Sequence, residues 1–294
     1  MSQRVTIANA CFDLELDPGA GGAVTHFRKK RDGGPAEPIF RDAPGELNDA
    51  GEASAFPLVP FCNRIRGGRF NFRGREVTLA PNMKGDPSPL HGQGWRHAWD
   101  VAEAEENCAE LRYSHAPGQW PWAYQARQRF CLDGSGLDYT LSVRNVSNDP
   151  MPVGLGFHPY FPSDEQTVLS TRVDSVWAVD VDTLPIGREA PTGRYDLRDR
   201  KIDAADLDNG YGGWSGVTEM SWPDRDLHVR MSSPTARFFQ VYAPESGGVF
   251  VAEPVTHANA ALNHPEAEWR SLGLRVLAPD EEMRLAVRFD VSAA

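Results

Sequence analysis

Apolar side chains return at every second position through much of this chain, and no other feature restricts its fold as strongly. Leu137, Tyr139, Leu141 and Val143 alternate with Asp138, Thr140, Ser142 and Arg144. Near the C-terminus Met283, Leu285, Val287, Phe289 and Val291 alternate with Arg284, Ala286, Arg288 and Asp290. Successive side chains of a strand leave opposite faces, so this period sends one set into a core and the other toward water. Shorter strand-like pieces lie at 12–16, 111–113, 124–130, 227–231 and 238–242. Phe70-Asn71-Phe72 and Val77-Thr78-Leu79 flank Arg73-Gly74-Arg75 and predict a hairpin. The 27 glycines and 23 prolines are scattered as turn punctuation and nowhere gather into a linker. No helical period runs far; a short turn near 259–262 or 265–272 is the best candidate. The chain shows neither an internal repeat nor a low-complexity tract. It is therefore expected to be all-β, a large antiparallel β-sandwich with residues 1–294 in a single domain, a length still within reach of one core.

The formal charge of −11 argues against nucleic acid or an anionic membrane surface as a main partner. It suits a soluble protein with a neutral ligand. No stretch approaches the roughly 20 apolar residues of a membrane span. Met1-Ser2-Gln3-Arg4-Val5 leads into strand-like sequence with no signal-peptide core, so a cytoplasmic location is expected. Cys11, Cys62, Cys108 and Cys131 fit no zinc spacing, so no metal is expected, and a chain this long does not need disulfides to hold its core. Cys62 stands beside Asn63 and Arg64, where an inert buried thiol is a simpler reading than a reactive one.

Three segments carry chemistry. Leu90-His91-Gly92-Gln93-Gly94-Trp95 and Gly156-Phe157-His158-Pro159-Tyr160-Phe161 each hold one histidine among glycine and aromatic residues. Val251-Ala252-Glu253-Pro254-Val255-Thr256-His257 sets a carboxylate between apolar neighbours. Two histidines and one partly desolvated glutamate form a general acid/base set without a nucleophile or a metal cage. Glycines permit close backbone approach, and aromatics offer a face to the apolar side of a sugar ring. The combination points to proton shuttling on a carbohydrate. Each residue also has a plainer reading. His91 before a glycine suits a turn, His158 among aromatics suits a packed core, and Glu253 suits an edge-strand charge that blocks aggregation. Trp95, Trp177 and Trp214 are each either a stacking surface for a sugar or part of the core.

These segments resemble the aldose 1-epimerases (mutarotases) of the galactose mutarotase-like superfamily. The likeness rests on Phe56-Pro57-Leu58-Val59-Pro60-Phe61-Cys62-Asn63-Arg64-Ile65, on Leu90-His91-Gly92, on Gly156 to Phe161, and on Glu253-Pro254-Val255-Thr256-His257 before Asn263, in the family's order. The resemblance implies a β-supersandwich with a ligand cleft open on one face. It makes His158 the general acid at the ring oxygen and Glu253 the base at the anomeric hydroxyl. His91 becomes the second histidine near the ring oxygen, and Arg64 the arginine that hydrogen-bonds the sugar and the site carboxylate. Asn63 beside Arg64, His257 and Trp214 join the substrate-binding set, His257 as a neighbour orienting either Glu253 or its loop. A substrate-binding aspartate is expected further on; Asp208 is the choice, with Asp206 two residues away.

The chemistry asks for these residue types independently. Opening a hemiacetal removes a proton from O1 while delivering one to O5, and closing after rotation about C1–C2 reverses both transfers. A carboxylate and an imidazole suit this, each contributing about 10²–10⁴-fold when positioned. No redox change occurs, so no cofactor is expected. Val251, Ala252, Pro254 and Val255 would raise the Glu253 pKa and Arg64 would lower it; the sequence leaves the direction open. Three functions fit: a mutarotase of a free aldose, a hexose-phosphate epimerase drawing on Arg66, Arg69 or Arg96, and a non-catalytic sugar-binding protein on the same scaffold. The first leads, with a small-molecule sugar as partner, no nucleic acid or membrane partner, and either a monomer or a homodimer.

Overall fold

The computed structural model describes residues 3–47 and 49–293. Among them eleven strands build one antiparallel sheet and nine a second, with two two-stranded ribbons beside them. The alternation sets the packing. In the nine-stranded sheet, Gly136–Asn145 lies between Tyr124–Leu132 and Glu282–Ser292. Leu137, Tyr139, Leu141 and Val143 stand opposite Phe289, Val287, Leu285 and Met283, and all eight are buried. Asp138, Arg144 and Arg284, on the other phase, are exposed. The two sheets meet through aromatic contacts: Phe157 stacks on Tyr139 with centroids 3.9 Å apart and meets Phe289 edge-on at 6.1 Å. One continuous apolar cluster, reaching from Ile7 to Phe289, fills the space between them.

The hairpin forms from Arg69–Phe72 and Arg75–Thr78. Arg73 and Gly74 make its two-residue turn at φ of 50° and 81°, the left-handed pair that matches the twist of the strands. Helical content is slight, with a 3₁₀ turn at Ala261–Asn263 and one α-helical turn at Glu266–Trp269. Cys108 and Cys131 depart from the expectation for the cysteines. They sit directly opposite each other in Cys108–His115 and Tyr124–Leu132 and are joined by a disulfide. Strand register brings them together, and a spacing of 23 residues carries no trace of it. Among the described residues no helix is long and apolar enough to cross a membrane.

Five neighbouring strands of the larger sheet position the functional side chains: Ala55–Leu58, Gly156–Pro162, Val249–Val255, Phe238–Ala243 and Leu207–Gly212. Phe56 stands opposite His158. Gly156 pairs with Val255 and Tyr160 with Val251, a register that sets His158 level with Glu253. Glu253 in turn faces Gln240, and Tyr242 faces Asp208. Because side chains two apart share a face, two adjacent rows result. One holds Phe56, His158, Glu253 and Gln240; the next holds Tyr160, Val251, Tyr242 and Asp208.

Candidate active site

His158 and Glu253 meet on this face with Nε2 3.2 Å from Oε1. Both are buried, Glu253 at 2% exposure, and neither Glu253 Oε2 nor His158 Nδ1 has a hydrogen-bond partner. An unpaired buried carboxylate oxygen is costly, and Oε2 is left with its acceptor capacity unused. Phe56 stacks on the His158 ring at 4.4 Å, and Trp95 stacks on Phe56 at 5.2 Å. The aromatic stack therefore fixes the imidazole ring, and Phe56, Trp95, Tyr160 and Tyr242 together supply the aromatic surface of the cleft.

The opposite wall comes from two loops. His91 has φ of 59° and Gly92 φ of 71°, both left-handed. A Cβ on Gly92 would overlap the Val59 carbonyl oxygen, so only glycine lets the two loops close on each other. Trp95 Nε1 donates to the carbonyls of Leu90 and Gly92, each at 3.2 Å, and secures the turn. The Asn63 amide donates to His91 Nδ1 at 3.0 Å. A ring nitrogen accepts only when it carries no proton, so His91 is neutral and its Nε2–H is the donor available to a ligand. Arg64 donates from Nε to Asp86 Oδ2 at 2.8 Å and from Nη1 to Asn63 Oδ1 at 3.2 Å. Asp208 accepts from Gln240 Nε2 at 2.7 Å. Asn63, Arg64, His91, His158, Asp208 and Glu253 all line one cleft.

Burial dominates the electrostatics. It raises the Glu253 carboxyl well above its ordinary value; Asp208 adds to the rise and Arg64 opposes it without prevailing. It lowers His158 to about 3, with the Arg41 guanidinium adding to the fall. It also holds His91 well below the imidazole range, aided by His158, Arg64 and His257. Asp208 is raised by burial, against the pull of Arg64 and Gln240.

The sequence profile of the family described as Aldose 1-epimerase matches residues 6–290. This chain belongs to the aldose 1-epimerase family. The uncharacterised protein YphB of Escherichia coli (strain K12) is 31% identical over 299 residues, covering 97% of this chain and 98% of the relative. The crystal structure of a candidate aldose 1-epimerase from Escherichia coli K12 superposes with a TM-score of 0.88 at 28% identity, over 99% of each chain. A galactose mutarotase-like protein from Clostridium acetobutylicum, 17% identical, shares the fold with a TM-score of 0.87 over 99% of this chain and 95% of its own. The architecture is thus the all-β galactose mutarotase-like sandwich.

Within this aldose 1-epimerase fold the other residues singled out from sequence fall apart in space. Trp214 is corrected from sugar contact to core residue. It is 2% exposed, stacks on Phe239 at 5.1 Å, and donates from Nε1 to Thr171 and Thr218 hydroxyls, away from the cleft. His257 also leaves the substrate-contacting set: its Nε2 accepts from the Cys62 amide at 2.8 Å, so it holds the loop and makes no hydrogen bond to Glu253. Asp206 is exposed and pairs with Arg194, while Asp208 lines the cleft. Arg66 and Arg96 are taken up by Asp180 and Asp49, and neither they nor Arg69 line it. Cys62 is buried, its thiol pushed well up by burial and by Glu253. Sequence reasoning missed Asp86, Gln240, Tyr242 and Asn259. Gln240 left a signal, a polar residue in phase with Phe238 and Tyr242 in a strand; Asp86, in a loop, left none.

Proposed function

We propose that this protein interconverts the α and β anomers of a free aldose. The observation that carries the reading is the buried His158–Glu253 contact at 3.2 Å with Glu253 Oε2 unpaired. One group takes the proton from O1 while its neighbour delivers one to O5. A carboxylate lifted by burial and an imidazole lowered by burial behave as one unit that shares a proton. Glu253 as base and His158 as acid is the productive arrangement of that proton. His91 Nε2–H donates to the ring oxygen region and moderates the charge that develops there. Arg64 and Asp208 bind hydroxyls, with Asn63 beside them.

The cleft also favours a neutral sugar over its phosphate. Arg64 is the arginine that lines it and is already engaged by Asp86, while Asp208 stands in the same lining. A phosphate dianion asks for two or more convergent donors with positive charge. No oxidation or group transfer occurs, so the protein's own side chains suffice for the chemistry. Polarimetry on α-glucose, α-galactose, xylose, arabinose and glucose 6-phosphate tests the reading. Accelerated mutarotation of at least one free sugar is expected; acceleration of none, or of the phosphate alone, would refute it.

A further inference from the structure

Three successive backbone amides of the cleft wall each end on a different side chain. The Cys62 N–H donates to His257 Nε2 at 2.8 Å, the Asn63 N–H to His91 Nδ1 at 3.0 Å, and the Arg64 N–H to Asn259 Oδ1 at 3.1 Å. Carbonyls in and just before this stretch are engaged as well. Pro60 accepts from Gly154, Asn63 from the His91 amide, and Arg64 from Ala260. This stretch lies outside the named strands, with one isolated antiparallel bridge from Arg64 to Leu90, and Asn63 within it has φ of 56°, a conformation that a non-glycine residue keeps only when its surroundings impose it.

We infer that His257 and Asn259 are positioning residues, which together with His91 clamp the Cys62–Arg64 backbone and so aim Arg64 and Asn63 at the sugar. The geometry fixes how each works. His257 Nδ1 lies 2.8 Å from the Ala258 carbonyl and must donate there, which leaves Nε2 unprotonated and able to accept. His91 holds the opposite tautomer, because its Nδ1 accepts. The His257 ring sits against Gly154, where a Cβ would overlap ring atoms, so that glycine is what admits the imidazole. Asn259 spends its other end on the Thr183 carbonyl at 2.9 Å and thereby ties the clamp to the loop carrying Thr183. With the backbone held, the Arg64 side chain reaches Asp86 and Asn63 and turns its remaining donors to the cleft.

The kinetic half of the test rests on the aldose reading, and the spectroscopic half does not. In ¹⁵N-labelled protein at neutral pH, His257 should appear as the Nδ1–H tautomer and His91 as Nε2–H, with slow exchange at the amides of residues 62–64. An Nε2–H tautomer at His257 would overturn the inference whatever the substrate. On an aldose that the wild type turns over, His257→Leu should raise KM about tenfold with kcat changed by less than about threefold. His257→Gln, which returns an acceptor oxygen near the place of Nε2, should recover most of that loss. In an Arg64→Ala background the effect of His257→Leu should shrink to the part that Asn63 still carries. A fall in kcat at unchanged KM, or an undiminished effect without the Arg64 side chain, would show that His257 acts elsewhere. Should His257→Leu fail to fold, Asn259→Ser run through the same cycle decides the matter. A wild type that accelerates no anomerisation refutes the aldose reading and leaves the tautomer measurement standing.

Discussion

Glu253 is almost fully buried, one of its oxygens lies 3.2 Å from a histidine whose pKa burial lowers, and the other is unpaired. Holding a carboxylate there costs folding energy, which the proposed role of Glu253 as base would put to use. Glu253→Gln and His158→Ala should each raise the barrier by about 3–5 kcal/mol, since either deletion interrupts the same proton exchange. Circular dichroism should show both folded; near-normal turnover by either would refute the roles. Stability gives a second readout. The folded pKa of Glu253 lies above its ordinary 4.5, so the contribution of this group to stability is lost as pH rises from there toward the raised value. The Gln variant does not titrate, so its melting temperature relative to wild type should climb across that window. The pH dependence of kcat/KM should be a bell belonging to the pair. Its acidic limb, addition of a second proton, falls below the usual imidazole range because His158 is lowered to about 3. Its alkaline limb, loss of the one proton, falls above the usual carboxylate range. A stopped-flow profile with both limbs at ordinary carboxylate and imidazole values would contradict this. The motifs made His158, Glu253 and His91 visible in the sequence, because each is a titratable group in apolar or glycine-rich company. The direction of the Glu253 shift was not visible, since it depends on whether burial or Arg64 prevails, and that is a matter of distance.

Strands were legible because period two is a local property, and the runs at 137–143 and 283–291 fold as the alternation dictates. Register is not local. Nothing in the chain announces that Cys108 meets Cys131, or that Gln240 stands beside Glu253 and donates to Asp208. The loops lie between these cases. A glycine after His91 suggests close approach, and the structure shows what it approaches, the Val59 carbonyl and the Pro60 ring. Gly92→Ala should therefore act on the element as a whole. A methyl group at φ of 71° that also strikes a backbone oxygen forces the two loops apart. The expected cost is about 2–4 kcal/mol in urea unfolding. Turnover should fall with it, because His91 and Asn63 exchange two hydrogen bonds across that contact. A stable variant with an unaltered KM would mean that the loops have slack the packing does not suggest.

At the scale of the whole molecule the governing quantity is charge. The chain carries −11 in total, and in the cleft Arg64 is already engaged by Asp86 while Asp208 adds a further carboxyl group. A dianionic sugar phosphate meets an unfavourable field on approach and an acidic lining on arrival, whereas a neutral aldose meets neither. Long-range attraction plays no part in capturing a neutral ligand, and at 0.1 M salt such fields fade within about 10 Å. KM for the preferred free aldose should therefore hardly change between low and high salt. Any activity on glucose 6-phosphate should be weaker, and it should improve as salt screens the repulsion. Polarimetric kcat/KM for both sugars across a salt series checks this directly. A several-fold preference for the phosphate that falls steeply with salt would reverse the sign of the argument. It would require Arg66, Arg69 or Arg96 to leave their present surroundings and turn into the cleft.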